Sequence, residues 1–508
     1  GTPITCLVDE GKSMNSSFLR WFTGAALTVL VFLVPDAASG ELTLTSLFTD
    51  NAVLQQGMPV PVWGKADPGS VVTVEFAEQN KTAVADSNGD WRVVLAPLKA
   101  SSQPRAMSVV SSRSNKQQTF NNLLVGEVWI CSGQSNMQMG VNTVPGVKAL
   151  LPGSRNIRSF TVRQTVSFRE ENKCSGQWVQ QHPNSAVAFA FASFLEQKAD
   201  VPVGIIQSCW GSSSIEGWMP RDMTTKLPHF NKIMQVFDAD KEKRTRIESI
   251  ISKPKWDRRS DIFLRTQPNV IYNAMMHPLA PIACRGIVWY QGEANGNNIP
   301  SMLQYGKTLP AWIERYREEW GRDDLHFLLV MLPGYARGLK GQAANPNAKS
   351  WAWMRQSQMK ALDLPHTSIA NTIDLGDANN IHPKDKLPIG KRLALLAARD
   401  AMGIKTEAHG PMMTRVEKNE NKLVVHFDHA AGLKTIDEKL PTGFWVADDS
   451  KKWVAADATL NDECVIVSSP KLDKPKYVRY AFSGKPNVNL INEAGLPASP
   501  FRTDTFQP

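Results

Sequence analysis

Between Leu123 and Lys405, short apolar runs alternate with amphipathic stretches, and this alternation constrains the fold of the chain more than any other feature. The strand candidates are Val125–Ile130, Val203–Gln207, Gly286–Tyr290, Leu325–Leu332 and Thr367–Ile373. Strands that are apolar on both sides are covered on both faces, and the intervening sequence supplies the cover. Ser185–Lys198 and Tyr305–Trp320 read as helices. In the second, Tyr305, Leu309, Trp312, Ile313, Tyr316 and Trp320 recur every three or four residues. A last helix over Ile389–Ala401 carries Ile389, Leu393 and Leu396 on one face. The pattern predicts an α/β fold with a doubly wound parallel sheet, whose ligand cleft lies at the carboxyl ends of the strands.

The flanks follow a different period. Strict alternation in Val71–Phe76 and Trp91–Leu95, with turn residues at Asp67-Pro68-Gly69 and Ser87-Asn88-Gly89-Asp90, predicts an N-terminal β-sandwich over residues 40–122. Alternation returns in Lys422–Phe427 and Val465–Val467, which predicts a C-terminal β domain over 406–508. The α/β part is then 123–405. Three folded parts suit a chain of 508 residues, because a single core organises ~150 residues on average. A net charge of +9 raises the question of an anionic partner, but the cations are scattered among acids. The mixed run Asp238–Arg244 reads as a solvated helix, and no nucleic-acid partner is expected.

Met14–Gly40 has polar residues with Arg20, an apolar run from Trp21 to Val34, and the small residues Ala37-Ala38-Ser39. That order predicts a secretory signal peptide starting at Met14, with residues 1–13 an upstream extension, and hence a secreted or periplasmic protein. The apolar run is shorter than the ~20 residues of a spanning helix, so no stable membrane insertion is expected after cleavage. Of the six cysteines, five lie beyond this segment, and Cys131, Cys209 and Cys284 sit in or beside apolar runs. Buried free thiols are expected there, rather than a disulfide framework or a metal site.

The chemistry-bearing residues lie where the cleft is expected. The strand Glu127–Ile130 runs into Gly133-Gln134-Ser135-Asn136-Met137, which puts a serine at a strand-to-helix turn. Such a turn exposes the hydroxyl and aims backbone N–H groups at a developing oxyanion. His382 follows the fifth strand candidate, in a loop rich in acids, and is placed to accept the Ser135 proton. Four stretches then occur in a fixed order: Gly133–Met137, Ile215–Trp218 after Trp210-Gly211, Trp289–Glu293, and Ile381-His382-Pro383 after Asp374-Leu375-Gly376-Asp377. Together they resemble the sialate O-acetylesterase family, a branch of the SGNH-type hydrolases that also resembles some acetylxylan esterases. Val60–Gly64 and Leu496–Arg502 resemble it too, so the likeness spans nearly all of the chain beyond the leader.

The resemblance implies an SGNH-type three-layer αβα domain, an O-acetylated sugar or glycan as substrate, and no metal or cofactor. Its nucleophile is Ser135 and its base His382. The wider hydrolase class places an Asp three residues before the histidine, whereas position 379 is Asn. Asp377, Glu293 and Asn379 therefore remain candidates for orienting His382. The oxyanion donors are expected to be the N–H of Ser135, the N–H of Gly211 and the side-chain amide of Gln291, with Asn295 as an alternative to the last. Ser212-Ser213 replace the glycine and threonine usual after Gly211. Trp218 is the candidate for stacking on a sugar, ahead of Trp210 and Tyr290. Acetylated xylan or another polysaccharide is an alternative substrate, and a catalytically inactive glycan-binding protein is an alternative of another class. The oligomeric state has no signature in the sequence.

Overall fold

The computed structural model describes residues 42–114 and 116–508. The predicted leader and its predicted cleavage site lie outside these residues. The described residues form one compact unit.

Its centre is a large mixed sheet. The strands that position the site are β1 (Gln117–Gly133), β2 (Ile157–Thr161), β3 (Trp178–Val179), β4 (Val203–Cys209), β5 (Gly286–Tyr290), β6 (His326–Val330) and β7 (Thr367–Ala370). They lie in the order β3-β2-β4-β1-β5-β6-β7. All neighbours are parallel except β3, which pairs antiparallel with β2 at the edge. The chain goes to opposite sides of β1 with β4 and β5, so the switch point falls at the carboxyl end of β1. Register sharpens this, because Gly133 at the end of β1 pairs with Cys209 on one side and Tyr290 on the other. Residues 134–135, 210–211 and 291 therefore leave the sheet level with one another.

The helices include α1 (Ser135–Gln138), α2 (Ala186–Ala199), α3 (Ile299–Trp320), α4 (Ala352–Met359) and α5 (Leu387–Leu396). Ser185 caps α2 by accepting the N–H of Ala188. α2 packs on α5 and α3 on α4. The predicted helix over 389–401 is α5 followed by a π-helical turn at Ala397–Ala401. The charged run at 238–244 is two helices rather than one, Pro228–Ala239 and Lys241–Ile251. Asp240 sits between them and caps the second by accepting the N–H of Lys243.

β1 is far longer than the six residues anticipated. Its first half pairs with Ser101–Ser111 and its second half with β4 and β5, so one strand crosses the expected boundary at 122. Val62, Val72 and Val74 of the N-terminal strands belong to the same apolar core as β1 and β5. The C-terminal strands form two four-stranded sheets and a two-stranded ladder. Val425, Val446, Val465 and Tyr480 fill a separate apolar cluster there. Cys131, Cys209 and Cys284 are buried free thiols. Among the described residues no helix is long and apolar enough to cross a membrane.

Candidate active site

β1 ends at Gly133 with φ +136°, and a β-carbon there would stand 2.1 Å from the Tyr290 carbonyl oxygen. Only glycine lets β1 turn this close to β5. The next residue, Gln134, anchors the turn by donating its N–H to Tyr290 O at 3.0 Å. Ser135 then opens α1, in which the N–H groups of Met137 and Gln138 donate to Gln134 O at 2.9 and 3.0 Å and that of Ser135 is at the first helical position.

His382 arrives from the loop after β7, 247 positions along the chain, and its Nε2 lies 2.9 Å from Ser135 Oγ. Burial, reinforced by the Lys386 ammonium, pushes the imidazole below its usual pKa. His382 is therefore neutral at neutral pH, and its Nε2 can accept the hydroxyl proton.

None of the three candidate orienting groups hydrogen-bonds to His382. Asp377 Oδ1 accepts the N–H groups of Asn379 at 2.7 Å and Asn380 at 3.0 Å, and Asn380 Oδ1 accepts the N–H of His382 at 2.9 Å. Asp377 thus shapes the turn that presents the histidine. Glu293 is buried, and its Oε1 accepts from Asn136 Nδ2 at 2.6 Å while Oε2 has no partner. Burial holds its pKa above the usual carboxylate value. Asp374 is engaged by Arg392 through two contacts of 2.7 Å.

Two residues that the motif reading passed over hold the loops together. Asn136 donates to Glu293 and also to Ile381 O at 3.0 Å, and its Oδ1 accepts from Lys386 Nζ at 2.5 Å. Lys386 is fully buried, 5.2 Å from the Tyr290 ring centroid, and desolvation lowers its pKa to about 8. Asn136 stood in plain view inside the serine motif. Lys386 had no such signal, because Lys384-Asp385-Lys386 reads as a solvated charge run.

On the other side of Ser135, the Gly211 N–H donates to Gln138 Oε1 at 2.7 Å. A β-carbon on Gly211 would lie 3.4 Å from Ser135 Cβ. The Gly211 N–H and the Gln138 side-chain oxygen that accepts it therefore lie beside Ser135. Gln291 is placed differently. It is fully buried, and its Nε2 contacts Gln134 Oε1 at 3.2 Å, Ser213 O at 3.2 Å and Asn295 Oδ1 at 2.9 Å. Asn295 in turn donates to both oxygens of Glu216, at 3.2 and 3.0 Å. The pair binds the loop after β5 to the loop after β4. Trp218 is buried with its Nε1 on Ser213 Oγ, so no face of it meets solvent. Trp210 and Tyr290 are buried too.

Several known proteins are similar. Residues 249–398, which include His382, match the family described as carbohydrate esterase, sialic acid-specific acetylesterase. The mouse sialate O-acetylesterase is 27% identical, over 89% of this chain and 93% of its own length. The human sialate O-acetylesterase is 24% identical, over 85% of each. The crystal structure of a carbohydrate acetylesterase from Xanthomonas citri superposes with a TM-score of 0.77 at 31% identity, covering 91% of this chain and 100% of that one. With the strand order, the serine turn and the histidine loop already in place, these likenesses settle its kinship: the chain belongs to the sialic acid-specific acetylesterase family of carbohydrate esterases.

Proposed function

We propose that the protein is a carbohydrate O-acetylesterase that removes acetyl groups from sialic acid or a related sugar by acyl transfer through Ser135. The observation that carries the mechanism is the 2.9 Å contact between Ser135 Oγ and neutral His382 Nε2. Ser135 Oγ attacks the acetyl carbonyl carbon as His382 takes the hydroxyl proton. The carbonyl oxygen, now negative, is held by the N–H groups of Ser135 and Gly211 once Gln138 has turned away. His382 returns the proton to the sugar oxygen, which leaves as an alcohol. Water, deprotonated by His382, then attacks the acetyl carbon, and acetate leaves as His382 returns that proton to Ser135 Oγ. Gln291 serves this chemistry by fixing the Gln134 side chain, one residue from the nucleophile. Asp377 serves it by shaping the histidine turn.

The parallel strands around β1 and the α2–α5 and α3–α4 pairs suit the three-layer αβα arrangement of SGNH-type hydrolases. The β regions at 40–122 and 406–508 are its appended parts. Export through the 14–40 leader fits a substrate on extracellular glycans. Acetylated xylan or another polysaccharide is the competing substrate, since the acyl-transfer groups read the ester and not the alcohol.

Ser135→Ala is expected to abolish hydrolysis of p-nitrophenyl acetate and labelling by a fluorophosphonate, with an unchanged circular dichroism spectrum. Retained turnover would rule out the nucleophile. Glycan binding by the unmodified protein without any labelling would favour an inactive binding protein. Acetate release from acetylated sialic acid, xylan and pectin ranks the sugars.

A further inference from the structure

In the proposed mechanism the ester oxygen of the departing sugar must lie beside His382, which protonates it, while the acetyl oxygen points the opposite way, toward Gly211. The sugar therefore leaves on the histidine side of Ser135. A cleft of about 610 Å³ opens on that side, walled by Ile381, which adjoins His382, and by Glu293, which holds Asn136 next to the nucleophile. Its size falls within the usual range for small-molecule sites, ~300–1,000 Å³.

The far wall is aromatic. Tyr335 is half-buried, with its ring centroid 4.7 Å from that of Trp351. Trp351 is itself anchored by its Nε1 on Gly296 O at 3.1 Å. The Tyr335 segment is tied to the histidine loop by Gly334 N–H to Leu375 O at 3.0 Å and Ala336 N–H to Ala378 O at 2.9 Å. The aromatic wall and the base are thus held in one hydrogen-bonded frame. Among the described residues the Tyr335 hydroxyl has no hydrogen-bond partner, and Asn297 and Arg337, both exposed, stand at the rim.

We propose that this cleft is the sugar subsite. The C–H face of a sugar ring lies on Tyr335, its hydroxyls meet the Tyr335 hydroxyl and the polar rim, and the acetylated oxygen reaches between His382 and Ser135. A ring face that is apolar and an edge that is polar match such a wall, as aromatic side chains with a polar tip do at recognition sites. The subsite rests on the esterase reading, since the reaction decides on which side of Ser135 the sugar lies.

The test compares an ester that has no sugar with one that has. The purified full chain, Tyr335→Ala and Tyr335→Phe are assayed on p-nitrophenyl acetate, on O-acetylated N-acetylneuraminic acid and on acetylated xylan. For whichever sugar the unmodified protein deacetylates, Tyr335→Ala is expected to raise KM by about tenfold. Its kcat/KM on p-nitrophenyl acetate should stay within about twofold, and Tyr335→Phe, which keeps the ring but loses the hydroxyl, should raise the sugar KM by only about threefold. A parallel loss on both kinds of ester, or an unmoved sugar KM, overturns the subsite. If the unmodified protein cleaves no ester at all, the esterase reading fails by itself. Calorimetric binding of N-acetylneuraminic acid and xylo-oligosaccharide to the Ser135→Ala protein then decides the subsite. Weaker binding with Tyr335→Ala added supports the cleft, and binding that is equal or undetectable overturns it.

Discussion

At the scale of single residues, the proposed reaction turns on the state of His382. Its pKa is depressed first by burial and second by Lys386, so the neutral imidazole that the proposed mechanism needs persists to lower pH than a free histidine would allow. The kcat/KM profile on p-nitrophenyl acetate is therefore expected to fall in acid with a midpoint below about 6.5, the free value. The sign of a second effect follows. Lys386→Met removes the nearby positive charge while filling the same buried space, so protonating His382 becomes less costly and the acid limb moves up. It should not reach the free value, because the burial contribution remains. A limb that stays in place while turnover drops would show that Lys386 acts only through Asn136. Ser135 and His382 were legible in the sequence because motif and strand order point to the same edge of a sheet. The partner of His382 was not, because position 379 lacks the carboxylate the wider class uses and the acids nearby, Asp377 and Glu293, are committed to other hydrogen bonds.

At the scale of elements, the turn from β1 into α1 has little tolerance. Gly133 combines a backbone conformation that L side chains rarely adopt with a carbonyl oxygen 2.1 Å from its missing β-carbon. Gly133→Ala must push β5 away or distort the turn, and is expected to cost ~3 kcal/mol or more in stability. The readout is the midpoint of urea unfolding. Because the strain falls two residues from Ser135, esterase activity should drop even in the fraction that remains folded. Apolar period and turn chemistry made the five central strands readable, since residues 125–130, β4, β5 and β6 are buried along their length and β7 alternates. β2 and β3 escaped notice for a physical reason. Ile157–Thr161 carries Arg158, Ser159 and Thr161, whose polarity hides a strand that lies toward the sheet edge. The first half of β1 escaped as well, because Gln117–Asn122 is polar and partly exposed and gives no hint that it continues into the buried run.

At the scale of the whole molecule, the C-terminal β region reaches the loops that frame the site. Lys485 Nζ donates to Leu375 O at 3.1 Å, at the start of the histidine loop, and Asn371 Nδ2 donates to Pro497 O at 2.9 Å. The Tyr335 N–H donates to Gly484 O at 2.9 Å. Arg355 on α4 is the buried fastener between these parts, with its guanidinium donating to Ser483 O and, at 3.3 Å, to Pro333 O. Replacing it by Ala leaves those carbonyl oxygens without a donor and opens a void where a large side chain was enclosed. Leaving a buried carbonyl oxygen without its donor typically costs ~1–3 kcal/mol. Arg355→Ala is therefore expected to lower the thermal midpoint by several degrees. Because Pro333 and Gly484 support the Tyr335 segment, it should also raise KM for the acetylated sugar more than for p-nitrophenyl acetate. Arg355→Lys keeps the charge but not the planar fork, so it should recover only part of the loss. If Arg355→Ala loosens the protein without disturbing the sugar KM, the C-terminal strands stabilise the catalytic part without shaping its cleft. A coupled change would make them a working wall of the site.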